Sequence, residues 1–138
     1  MNTSKVIYLG DLRTSAIHLS SNNSIITDAP LDNHGKGEAF SPTDLTATSL
    51  GACLLTVVGI HAQQNEINMK DSEVMIKKIM SSDSPRRIVQ INVDITFKTT
   101  LELSEKQRHT FERIAKTCPV AMSLHPDIIQ NIKIRFTI

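Results

Sequence analysis

Cys53 and Cys118 are the chain's two thiols, and each sits in a segment with an unusually definite local pattern. Cys53 lies inside the apolar stretch SPTDLTATSLGACLLTVVGI, and Cys118 stands at a helix-breaking Cys-Pro step in TCPVAMSLHP. Where a cellular thiol pool keeps cysteines reduced, a small protein has little use for a static disulfide, so redox chemistry is the first expectation. The reactive form is the thiolate. Cys118 precedes a proline able to begin a helix, so it can act as an N-cap facing the positive end of the dipole, which favours a thiolate modestly. Cys53 lies about three turns inside its helix, beyond that dipole's reach, among apolar neighbours that disfavour a charged sulfur. A nucleophilic Cys53 therefore needs a cation from another segment, since its helix contains no Lys or Arg; Arg13 is the candidate. Against this stands the plainer reading of Cys53 as a small core residue and of Cys118 as a structural cap.

Other chemistries have less support. There is no Cys-x-x-Cys, and His18, His34, His61, His109 and His125 show no helical i,i+4 pair, so no metal is expected. Gly35 and Gly37 in HGKGEA lack the strand-before, helix-after context of a phosphate cradle. Neither a Ser-His-Asp set nor paired carboxylates has a local signature, and no cofactor is expected. With 15 basic and 14 acidic residues the net charge is +1, too weak a field to hold nucleic acid or an anionic membrane. No stretch is expected to reach the roughly 20 apolar residues of a membrane span. MNTSKVIYLGDL does not read as a secretory leader, so the cytoplasm is the expected location. One Tyr, four Phe and no Trp leave an aliphatic core, which favours extra burial by dimerisation.

The elements that must position the thiols follow from periodicity and capping. A length of 138 residues implies one domain, 1–138. Residues 5–28 read as two or three strands with a hairpin signal at Ser21-Asn22-Asn23-Ser24, and 29–39 as a loop. Ser41 is the expected N-cap of a long helix, with Pro42 at its first position and Asp44 at its third, running to about Asn65. So little of it is polar that burial on most sides is expected, part of the cover coming from a second subunit. Gly51 and Gly59 suggest close approach of another backbone. Strands follow at 72–80 and 86–100, with Ile91, Val93, Ile95 and Phe97 on one face. Ser104 caps a helix ending near Lys116, Pro119 starts a short one, and IKIRFTI closes as a strand. The expected class is α+β.

The segments LRTSAIHLSSNNSIITDAPLDNHGKGEAFSPTDL…LGAC and CPVAMSLHP resemble the OsmC/Ohr family of osmotically inducible and organic-hydroperoxide-resistance proteins, over nearly the whole chain. The resemblance implies an intertwined homodimer with long central helices packed against antiparallel sheets. It further implies a thiol peroxidase of the peroxiredoxin-like kind, active in oxidative or osmotic stress defence. Cys53 matches the family's peroxidatic cysteine and Cys118 its resolving cysteine. The substrate would be an organic hydroperoxide or hydrogen peroxide, and the reductant an external dithiol, lipoyl-type or other. In the family's hydroperoxide reductases an arginine, held by a glutamate near the helix start, stabilises the thiolate; Arg13 is the match. This chain has Thr43 where those reductases carry Glu, and the candidates to hold the arginine instead are the neighbouring Asp44 and Glu38 in the preceding loop. That departure points to the OsmC-like branch. A non-catalytic dimer that binds a small ligand or senses redox state is the alternative.

Overall fold

Three short segments rich in β-branched and other apolar residues become the strands β1 (Ser4–Gly10), β2 (Arg13–His18) and β3 (Ser24–Asp28) of an antiparallel sheet. The computed structural model describes every residue, Met1–Ile138, and the chain forms two compact units, Met1–Thr46 and Ala47–Ile138. In the first unit the β1–β2 turn places Asp11 and Leu12 at left-handed φ values of 50° and 61°, directly before Arg13. The β2–β3 register pairs Ile17 with Ser24, which centres that hairpin on Ser20-Ser21 rather than on Asn22-Asn23.

Residues 29–40 form a tight loop around a single 3-10 turn, Leu31–Asn33. Gly35 is obligatory there, because a Cβ at this position would meet the Ala29 carbonyl oxygen at 1.7 Å. Gly37 adopts φ 61° and leads into Glu38.

Helix α1 spans Pro42–Gln64. Its start is the expected capping box: the Asp44 N–H donates to Ser41 Oγ at 3.0 Å, and the Ser41 N–H donates to the Asp44 carboxylate at 2.9 Å. In the second unit its buried residues, Ala47, Leu50, Gly51, Leu54, Val58 and Ala62, recur at helical spacing and form one stripe. Within one chain the burial is confined to that stripe: Ala52 and Thr56 are exposed and Ile60 is 52% exposed. The two glycines part company. A Cβ on Gly51 would press on Ile76 Cδ1 at 2.9 Å and Val74 Cγ1 at 3.0 Å, which are side chains rather than backbone, while Gly59 faces open space. By length and mean hydropathy, 1.6, α1 does reach what a membrane span needs, contrary to expectation; a core helix buried along one stripe passes the same test.

The second sheet is built from β4 (Glu73–Met80), β5 (Ile88–Lys98) and β6 (Ile129–Thr137). It is mixed rather than wholly antiparallel, since β6 runs parallel to β5. Helix α2 (Glu105–Ala115) and the short α3 (Pro119–Ser123) form the crossover between them. Ile91, Val93, Ile95 and Phe97 of β5 are fully buried with Leu50, Leu54, Val58, Phe111 and Cys118. Phe97 and Phe111 meet edge to face at 5.4 Å between centroids. Ser104 caps α2 through a reciprocal box with Gln107, as its sequence predicts.

Candidate thiol site and an arginine cluster

Cys118 is placed by chain geometry before any tertiary contact is considered. Pro119 occupies the first turn of α3, where its missing N–H is harmless, which leaves Cys118 as the N-cap. Its sulfur accepts the Ala121 N–H at 3.3 Å. Gln130 of β6 fixes the other side of α3 by donating to the Ala121 carbonyl at 2.9 Å. Cys118 is 1% exposed, and this burial pushes its thiol pKa up. The capping N–H pulls the other way, but the neighbouring Cys53 sulfur adds to the rise. The thiolate-favouring effect expected of the helix start is outweighed by desolvation, which is the larger influence, and α3 with five residues is short.

Cys53 projects from α1 next to the Leu54 and Val57 positions, half-buried, and both cysteines are free thiols. Two sulfurs far apart in sequence are thus brought side by side within one unit, one partly open and one sealed. His61 and His125 take no part here. His61 packs edge-on to Phe111 at 5.9 Å, and the exposed His125 accepts the Asp127 N–H through Nδ1.

The first unit assembles a different group. Arg13 and Asp28 are direct cross-strand partners on β2 and β3. The Arg13 guanidinium grips the Asp28 carboxylate with two bonds, Nε to Oδ1 at 2.7 Å and Nη2 to Oδ2 at 2.9 Å. Nη2 also donates to Glu38 Oε2 at 2.7 Å. The Asp28 side chain is wholly buried, that of Arg13 is 28% exposed and that of Glu38 66% exposed. Asp28 Oδ2 additionally accepts the Glu38 N–H at 3.1 Å, and the Asp28 N–H donates to the Phe40 carbonyl. The Arg13 bonds hold the Asp28 carboxyl below the usual carboxylate range, and Asp28 and Glu38 together raise Arg13. Arg13 therefore rests on Asp28 and Glu38. Asp44 is engaged in the Ser41 cap, and the Thr43 hydroxyl lies 3.2 Å from Ser41 Oγ. Asp28 was not among the residues read from the sequence. Asp28 closes the β3 segment SIITD, and recognising Arg13 as its partner requires the hairpin register.

A pair of apposed thiols, one buried as a cap and one on a long apolar helix, defines a dithiol protein of the α+β class. The model of the OsmC-like protein family matches residues 35–133, and the chain belongs to that family. It is 55% identical to an osmotic stress induced and detoxification response protein from Psychrobacter arcticus 273-4, with a TM-score of 0.91, covering 98% of this chain and 96% of that one. The fold also matches an OsmC-like protein from Mycoplasma pneumoniae (18% identity, TM-score 0.79, 98% and 96% covered). An organic hydroperoxide resistance protein from Legionella pneumophila has the same fold (14%, TM-score 0.70, 98% of each chain). No curated protein matches the sequence of this chain.

Proposed function

We propose that this chain is a cysteine-based thiol peroxidase that reduces organic hydroperoxides or hydrogen peroxide. The observation that carries the reading is the apposition of Cys53 with a buried Cys118. The Cys53 thiolate attacks the terminal peroxide oxygen; the O–O bond breaks, the alkoxide leaves and takes up a proton, and Cys53 becomes a sulfenic acid. The two electrons come from the sulfur. Cys118 then attacks the sulfenic sulfur, its proton leaving with the hydroxyl as water, and a Cys53–Cys118 disulfide forms. An external dithiol restores both thiols by exchange and is itself oxidised to a disulfide. A Cys118 held as the thiol does not compete for peroxide, which separates the two roles. Arg13 is the proposed cation for the Cys53 sulfur and the departing oxygen, on family resemblance.

The same reading includes a homodimer. Val6, Tyr8 and Leu9 of β1 are 62%, 65% and 54% exposed, and Ile60 of α1 is 52% exposed. Apolar surface of this extent favours a covering partner, and a second copy of the chain supplies one.

The test is consumption of cumene hydroperoxide with a dithiothreitol or lipoyl donor, by the wild type and by Cys53→Ser. The expected result is turnover in the wild type and only the free-thiol background in the variant. Equal rates in the two proteins remove the enzymatic reading and leave a binding or sensing dimer.

A further inference from the structure

The geometry points to Glu38 as a displaceable internal occupant of an anion site on Arg13, with Asp28 as the fixed anchor that keeps the guanidinium in place when Glu38 leaves. The inference deepens the proposed function and rests on that reading for its kinetic arm alone.

A guanidinium has five N–H donors arranged as two forks. The side-on fork, Nε and Nη2, is filled by Asp28. The end-on fork is formed by Nη1 and the second N–H of Nη2. Glu38 takes only the Nη2 half of it, through one oxygen. Arg13's bonds go to these two carboxylates alone, so the Nη1 half accepts a further oxygen. Two parallel N–H donors match a group with two oxygens, of which a carboxylate is the fitting class.

Charge and attachment say which carboxylate yields. One guanidinium facing two carboxylates is over-neutralised and has little attraction left for a third anion. Asp28 cannot be the one that moves: it is buried, bonded twice to Arg13, and also accepts the Glu38 N–H. Glu38 holds Arg13 by one bond from a side chain 66% exposed. Its backbone stays pinned to Asp28 while the side chain changes rotamer, so release needs no movement of the loop. Glu38 is then a specificity-determining residue, since it sets the threshold an incoming anion must pass to reach Arg13.

Benzoate is the probe, titrated against the full-length protein at constant ionic strength and followed at the Arg13 Nε–H resonance. Glu38→Gln is expected to bind benzoate about tenfold more tightly than the wild type, the scale of one charge-assisted hydrogen bond. Glu38→Ala should behave alike, and Arg13→Lys, without a fork, should lose the site. Equal benzoate affinity in wild type and Glu38→Gln overturns the inference. So does chloride competing as well as benzoate, or loss of the Asp28-bonded Nε–H signal on binding. In the kinetic arm, the ratio of kcat/KM for a carboxylate-bearing hydroperoxide to that for tert-butyl hydroperoxide should rise in Glu38→Gln; an unchanged ratio counts against Glu38 as the threshold. If the wild type consumes neither hydroperoxide, the peroxidase reading falls, and the benzoate titration still decides the anion site.

Discussion

In Ala47–Ile138 Cys118 lies within, and Cys53 packs against, a hydrocarbon core of fully buried Leu50, Leu54, Val58, Ile91, Val93, Ile95, Phe97 and Phe111. In Met1–Thr46 the buried residues are Thr27, Asp28 and Ser41, all polar. One unit is ordered by the removal of apolar surface from water, the other by backbone ladders and a network of charged hydrogen bonds. The contrast matches their assigned tasks. On the proposed reading, burial favours the thiol form of Cys118, whereas Arg13 is oriented by two carboxylates without being sealed from solvent.

This difference sets the order of expected effects. Phe111→Ala removes a ring that touches Phe97, Phe136 and His61, so it should destabilise the second unit by about 3–5 kcal/mol. Urea unfolding monitored within α2 checks this; a loss below about 1 kcal/mol would mean that the aromatic cluster is not what closes the core. Asp28→Asn acts on the first unit instead, and its effect depends on pH. The folded carboxyl lies below its unfolded value of about 3.9, so its contribution is complete above that value and disappears as pH falls through the folded pKa. The stability gap between wild type and Asp28→Asn should therefore be wide at neutral pH and narrow in acid. Arg13, Glu38 and Lys36 are the charges acting with it. A gap independent of pH would show that the pair contributes no more than packing. The smallest effect belongs to Ser104→Ala, which deletes the α2 capping box and should remove about 1 kcal/mol.

The same contrast governs how much could be read from the sequence. The second unit was almost wholly legible, because its information is periodic. The alternation at Ile91, Val93, Ile95 and Phe97 gives the buried face of β5 directly, and Ser104 and Cys118 mark helix starts by local chemistry. What periodicity cannot supply is the balance of opposing effects at one atom. For Cys118 the helix start does favour the thiolate, but burial, a property of the packed state, outweighs it. In the first unit Arg13 and Glu38 were recognisable but Asp28 was not. Its pairing depends on a register that the Ser21-Asn22-Asn23-Ser24 signal places too far along the chain. Gly51 is a simpler miss: its effect on helix propensity suggested a close backbone, and what approaches it is the side chains of Ile76 and Val74.

The central claim is that Cys53 and Cys118 work as one redox pair. It is tested most directly by treating the reduced protein with one equivalent of hydroperoxide, blocking remaining thiols and mapping the cysteines by mass spectrometry. The account predicts an intramolecular Cys53–Cys118 disulfide, and in Cys118→Ser a Cys53 sulfenic acid at one equivalent that a further equivalent drives on to the sulfinic acid. An oxidised Cys53 beside a Cys118 that is still free to be alkylated in the wild type would contradict it.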